Sequence, residues 1–270
     1  MGALKADDRL LLELVSVHPS GVVLEDLMKR ILFAVILSGI WLLSSTMAMA
    51  EVPVRQADRP LTLKKGVVAV DLGADQTMTD PTDSTDASLG VAYAVLDDLQ
   101  LGLALPMGVD PKFEVNDPSV STVFRMHKTS DLEAGLRIVM SIPVKEGSVV
   151  DLNVGVPVRW HSGPLRIDTG VALDYALSDP AQKSLLIPIE VSYNLNDDLA
   201  FQLDTGVRVP EFEFDKYIMP LAAGLVYTVT SQGKTRGDVG VSVSFPFFMQ
   251  DGNVTTTDFM LVSVGGRAFF

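Results

Sequence analysis

Charged side chains recur at alternate positions from Glu51 onward, and they are the residues whose chemistry could select a solute. Arg166 and Asp168 are two residues apart, and Glu133 and Arg137 are four apart. Residues two apart in a β-strand point to the same side. The charges that share one side with glycine and other small or polar residues are Glu133, Arg137, Asp151, Arg159, Arg166, Asp168, Asp174, Glu190, Asp204, Arg208 and Arg267.

Acids and bases that face one enclosed space allow two interpretations. They could form a charged constriction that selects solutes. They could instead form a closed polar core, in which acid and base neutralise one another across neighbouring strands. Many glycines and alanines share the charged side, and their small volume leaves room for a narrow pore. Both interpretations stay open at the level of the sequence.

Side chains suited to catalysis or metal binding are scarce. The chain has no cysteine, which excludes disulfides, thiolate metal sites and cysteine nucleophiles. Beyond residue 50 the histidines are His127 and His161, which we place in solvated turns. No nucleophile elbow, zinc-protease motif or phosphate loop occurs, and the acidic residues match no metal-ligand spacing. We expect no enzymatic activity, no cofactor and no bound metal.

The charges lie on stretches with a two-residue period. Phe201, Leu203 and Val207 alternate with Gln202, Asp204, Gly206 and Arg208, and similar stretches run from residue 66 to the end. In a soluble β-sandwich the apolar side of such strands is the core. In a membrane barrel it faces lipid and the polar side lines the interior. Strands of about ten residues favour the barrel, because strands of soluble folds more often have about five or six.

Counting these stretches predicts an all-β, antiparallel transmembrane barrel of about twelve strands, with ten to fourteen possible. The predicted strands are 66–74, 86–96, 99–106, 117–126, 130–142, 148–159, 164–175, 184–194, 199–209, 217–229, 236–247 and 256–270. The pattern is weakest in 117–126. Five tight connections fall on one side of this barrel, which we assign to the periplasm because periplasmic turns are short.

The N-terminal region has the composition of a targeting segment. Two positive charges, Lys29 and Arg30, precede an apolar run over 31–43 and an Ala-x-Ala ending at Ala48 and Ala50. This order is typical of a secretory signal peptide, which we place at 28–50 with cleavage after Ala50. Residues 1–27 are a doubtful N-terminal extension, and residues 51–270 form the barrel.

The last strand carries a second signal. Ser263, Gly265, Ala268 and Phe270 follow the order polar-x-Gly-x-x-apolar-x-aromatic, with Ala268 smaller than usual. With the signal peptide and the alternating strands, this ending resembles Gram-negative outer-membrane β-barrel proteins of the porin or transporter type. The resemblance implies an outer-membrane location, contact with lipid and lipopolysaccharide, and insertion by the barrel-assembly machinery.

The fold leaves several functions open. A net charge of −13 argues against a nucleic-acid partner. We expect a passive channel for small solutes, lined by the alternating charges. The first alternative is a closed structural or surface-display barrel without transport. The second is a secreted, soluble β-sandwich.

Overall fold

The computed structural model describes residues 52–79, 83–144, 149–177, 183–254 and 259–270. The extension 1–27 and the signal peptide 28–50, with Ala48 and Ala50, lie outside these ranges. Helical structure within them is one 3-10 turn, Gln56–Asp58. In the described part of the chain, no helix has the length and apolar content needed to cross a membrane.

The rest of the described chain is β-structure. The strands are β1 (Val68–Thr79), β2 (Ser84–Leu96), β3 (Leu99–Asp110), β4 (Glu114–Val115), β5 (Ser119–Lys128), β6 (Leu132–Ser141), β7 (Asp151–Ser162), β8 (Leu165–Ala176), β9 (Lys183–Asn194), β10 (Leu199–Pro210), β11 (Ile218–Ser231), β12 (Lys234–Gln250), β13 (Asn253–Val254) and β14 (Phe259–Phe269).

Twelve long strands form a closed antiparallel ring. Each pairs with its neighbours in the chain, and β1 closes the ring by pairing with β14 from Ala69–Phe269 to Thr79–Phe259. The two-residue strands β4 and β13 add only to the ends of β3 and β12. The predicted twelve-stranded barrel is confirmed, including its weakest strand, which is β5.

Several strands are longer than the sequence pattern indicates. β1 continues to Thr79 and pairs with β2 through Asp75–Asp86 and Gln76–Thr85, although the apolar alternation ends near residue 74. Ladder hydrogen bonds join backbone groups and do not depend on side-chain polarity. The barrel wall therefore extends beyond the apolar band that the sequence reveals.

The two faces of the wall differ in polarity. The outward side chains are large and apolar, for example Leu103 at 53% exposed and Phe124 at 45% exposed. A compact buried apolar cluster exists only beside the ring closure, with Val52, Val67, Ala69 and Phe269 as its buried members among the described residues. A soluble sandwich would bury its apolar face. The β-sandwich alternative is therefore wrong, and the arrangement is that of a membrane barrel.

Candidate functional site

The barrel has two unlike ends. Five connections of two to four residues lie at one end, which we call the short-turn end, as the sequence predicts: 97–98, 129–131, 163–164, 195–198 and 232–233. The same end holds the start of β1 and the end of β14, joined by hydrogen bonds between Val68 and Phe270. We call the opposite end, with the longer connections, the long-loop end.

Residues 52–67, which precede β1, lie inside the barrel at the short-turn end. We call them the inner segment. Their polar contacts reach strands around the ring, from Gln100 on β3 and Glu133 on β6 to Asn194 on β9 and Thr235 on β12. Because these strands lie on different sides of the ring, the inner segment crosses the lumen.

The barrel wall binds the inner segment largely through the backbone groups of that segment. Arg166 donates to the Gln56 carbonyl at 2.7 Å, and Arg159 donates to the Pro60 carbonyl at 2.5 Å. The Leu61 amide donates to the Glu133 carboxylate at 2.6 Å. Charged groups make stronger hydrogen bonds to peptide groups than neutral groups do. Charges on the wall therefore satisfy peptide groups that a loop inside a protein would otherwise leave unpaired.

Arg59 is the most tightly held side chain of the inner segment. Its guanidinium forms an ion pair with Asp238 and donates to Thr228 at 3.2 Å. It also lies 5.3 Å from the centre of the Phe269 ring, within the range of a cation–π contact. Gln56 adds a hydrogen bond to Asp238 at 2.9 Å. We call Gln56, Arg59, Thr228 and Asp238 the latch cluster.

Further ion pairs line the same end of the lumen. Arg159 and Arg166 share Asp168, at 2.5 and 3.0 Å, and Arg166 also contacts Glu190. Arg125 pairs with Asp98 at 2.7 Å and lies 3.4 Å from Glu133. Arg267 pairs with Asp71 across the ring closure. Most of the arginine charge at the short-turn end is thus neutralised by neighbouring carboxylates.

The inner segment separates two cavities. A central cavity of about 560 Å³ has Arg59, Pro60 and Leu63 in its wall, together with Asp204 and Arg267 from the strands. A cavity of about 420 Å³ on the other side shares Pro60 and Leu63, and includes Lys128 and Ser130 near the short turns. Pro60 and Leu63 therefore contribute to the partition between them.

A third cavity, of about 430 Å³, lies toward the long-loop end. Asp151 and Asp174 line one part of it, and Lys183 and Arg208 line another. Arg208 donates to Ser184 at 3.3 Å, and its side chain is exposed to the cavity. The cavity presents both signs of charge, which suits a polar solute.

The eight charged residues predicted for the lumen fall into two groups. Glu133, Arg166, Asp168 and Arg267 have ion-pair partners near the short-turn end, and Glu133 and Arg166 also bind the inner segment. No ion pair joins the other four to any residue in the described ranges: Arg137, Asp151, Asp204 and Arg208. The strand register sets which charged side chains lie next to one another, and it therefore decides which of the eight residues form ion pairs.

Three residues of the predicted terminal signal, Ser263, Gly265 and Ala268, lie in β14, and Phe270 directly follows it. Ser263 and Gly265 stand opposite Asp75 and Gly73 of β1, in the wall of the central cavity. Ala268 is paired with Val70, and Phe270 exchanges two backbone hydrogen bonds of 2.9 Å with Val68. The proposed assembly signal thus coincides with the strand that closes the ring.

The sequence interpretation was wrong about both histidines. His127 lies in β5 and His161 in β7, so neither is a turn residue. His161 Nδ1 donates to the Ala57 carbonyl and so contributes to binding the inner segment. The inner segment itself was missed, although its run without alternation, containing Pro53 and Pro60, is a signal that it forms no barrel strand.

Comparisons with known proteins support the fold. No protein-family model and no curated protein matches the sequence. Among solved structures, the NanC porin aligns with a TM-score of 0.57 and 12% identity, over 74% of this chain and 98% of that chain. The COG4313 outer membrane channel from Pseudomonas putida F1 aligns with a TM-score of 0.57 and 12% identity, over 77% and 97%.

A third solved structure adds a ligand. The KdgM porin in complex with disordered oligogalacturonate aligns with a TM-score of 0.56 and 11% identity, over 74% of this chain and 99% of that chain. All three are named as porins or channels, and the predicted β-barrel fold is confirmed.

Proposed function

We propose that this protein is an integral outer-membrane barrel that conducts small solutes passively. The observation that carries the proposal is the charged central cavity of about 560 Å³ inside a closed ring whose outer face is apolar. About eight strands leave an interior filled by side chains, and about sixteen leave an open channel. Twelve strands give an intermediate interior, which fits a narrow passage.

In this proposal the eight predicted lumen residues have two different roles. Four of them face the passing solute, because they form no ion pair with any described residue: Arg137, Asp151, Asp204 and Arg208. Glu133, Arg166, Asp168 and Arg267 shape the short-turn end instead. Solute selection therefore occurs between the centre of the barrel and the long-loop end.

The route to the membrane is part of the proposal. Residues 28–50 would direct export and be cleaved after Ala50, leaving a barrel of residues 51–270. The terminal strand, through Ser263, Gly265, Ala268 and Phe270, would be recognised by the barrel-assembly machinery. The short-turn end would then face the periplasm, and the long-loop end would face lipopolysaccharide.

Planar-bilayer recording of the refolded protein tests the channel. We expect conductance steps, and we expect Arg208→Ala to change their size or their cation-to-anion permeability ratio. The matched control is Arg236→Ala, which removes an arginine outside the proposed lumen set. Sugars of increasing size and a short oligogalacturonate are the probe solutes in liposome swelling, the latter because of the KdgM complex. A complete absence of steps and swelling under all conditions would contradict the proposal.

A closed structural barrel is the second candidate, and the inner segment favours it. If the lumen is permanently filled, Arg208→Ala changes neither conductance nor swelling. Cell-surface labelling and outer-membrane integrity would then depend on the loops at the long-loop end.

A further inference from the structure

The strand ring does not need the inner segment for its own hydrogen bonds. Each long strand pairs with two neighbours, and β1 pairs along its length with β2 and β14. The exceptions adjoin β1, where Gly66 donates to the Ala94 carbonyl and Ala94 donates to the Val67 carbonyl. Residues 52–65 can therefore leave the lumen without opening the ladder.

The contacts that hold residues 52–65 are of a kind that water can replace. The buried apolar side chains there are small, Val52 and Ala57, while the polar contacts are many. A hydrogen bond contributes little net free energy when water can take the place of either partner. Burial of apolar area, which would oppose displacement, is limited.

The latch cluster is the strongest single attachment. Asp238 accepts from Arg59, Gln56 and Thr228 at once, and Arg59 is only 7% exposed. Releasing the segment therefore means separating one buried ion pair and returning both charges to water. The central cavity adjoins this cluster, so ions and solutes that enter it can reach Arg59.

We propose that residues 52–65 of the inner segment are a movable plug that closes the channel, with the Arg59–Asp238 pair as its latch. This rests on the proposed channel function. The plug swings out toward the short-turn end while Gly66 and Val67 stay attached to the wall. Its departure joins the central cavity to the cavity beside the short turns, which Pro60 and Leu63 help to separate.

A disulfide tether tests the plug directly, because the chain has no cysteine of its own. Ala57→Cys with Asn194→Cys joins the segment to β9, where the Ala57 amide lies 3.3 Å from Asn194 Oδ1. In the full mature chain, oxidation should lower channel opening at least about tenfold relative to the reduced form, because the tether keeps the plug at its site. Reduction should restore opening.

A second cysteine pair serves as the matched control. Val156→Cys with Val171→Cys joins two paired positions of β7 and β8 whose side chains face outward, away from the lumen and the inner segment. Its conductance should be the same oxidised and reduced. An independent variant, Asp238→Asn, keeps the side-chain size and removes the charge, and it should raise open probability above that of the parent. Folded barrels commonly migrate differently in a gel when unheated than after boiling, and this difference in mobility checks that each variant is folded.

The outcomes separate the plug from the channel. Equal conductance of the oxidised and reduced 57–194 pair, with steps present in both, overturns the plug and leaves the channel standing. The channel is overturned, and the plug with it, if conductance is absent from the parent, from both redox forms of the 57–194 pair and from Asp238→Asn.

Discussion

The two ends of the lumen use the same kinds of residue in opposite ways. At the short-turn end, arginines and carboxylates lie within ion-pair distance and bind the backbone of the inner segment. Toward the long-loop end, Asp151 and Arg208 line a cavity and have no ion-pair partner in the described ranges. Composition alone therefore does not tell a filled polar core from a solute pathway. The distance between opposite charges does.

The largest expected effect is a loss of stability when an arginine at the short-turn end is removed. Arg166→Ala removes a buried arginine that contacts Asp168, Glu190 and the Gln56 carbonyl, and leaves Glu190 without its ion-pair partner. Arg166 is buried but the Glu190 side chain is 36% exposed, so we expect a loss of about 1.5–3 kcal/mol, the range for hydrogen bonds to charged groups. The midpoint of guanidinium unfolding in detergent, followed by Trp160 fluorescence, should fall clearly.

Arg208→Ala is the control at the other end. That arginine is exposed and makes one hydrogen bond, to Ser184, so we expect a change within about 0.5 kcal/mol. Equal losses in Arg166→Ala and Arg208→Ala would show that the two ends do not differ in the way the contacts indicate.

A smaller effect concerns the backbone of the inner segment. Glu133→Gln keeps an acceptor for the Leu61 amide but removes its charge. Since charged acceptors bind more strongly, we expect hydrogen exchange at Leu61 to become about tenfold faster. Asp117→Asn is the comparison, because Asp117 accepts from the exposed Val144 amide at 2.8 Å. Exchange at Val144 should hardly change.

A third effect concerns ion selectivity. Asp204→Asn removes a carboxylate that lines the central cavity without an ion-pair partner in the described residues. We expect the cation-to-anion permeability ratio to fall by about twofold, because a unit charge in water contributes under about 1 kcal/mol beyond 4 Å. Reversal potentials in a salt gradient measure this. An unchanged ratio would remove Asp204 from the solute pathway.

The smallest effect belongs to a loop at the long-loop end. Glu213 and Lys216 form an exposed ion pair three residues apart. Exposed pairs contribute little because water and salt screen them. Glu213→Gln should leave both the unfolding midpoint and the conductance unchanged, and a measurable shift in either would show that this loop packs onto the barrel.

The fold was predictable because its signal is local. Two-residue alternation and short turns identified the twelve long strands, and even β5 was found from its spacing and the need for an even strand number. The end of β1 was placed too early, since polar residues continue its ladder. β12 also runs three residues past its predicted end, through Phe248 and Met249 to Gln250. Alternation reports where lipid contacts the wall and is silent about where the wall stops.

The inner segment was not predictable because its partners are remote in sequence. Arg59 meets Asp238, which lies 179 residues away, and Gln56 meets Thr228, 172 residues away. No periodic pattern marks such contacts. The two-residue alternation placed Glu133 and Arg166 on the charged side of their strands. Their hydrogen bonds to Leu61 and Gln56 form only in the folded ring.

The short connection between residues 52–65 and β1 sets how the plug would return. Gly66 and Val67 remain hydrogen-bonded beside β1, so the segment is held within a few residues of its site after release. Attachment through so short a flexible chain gives an effective concentration on the order of millimolar. Reclosure is then unimolecular and independent of protein concentration. A free peptide with the sequence of residues 52–65 would compete with it only at millimolar concentration or above.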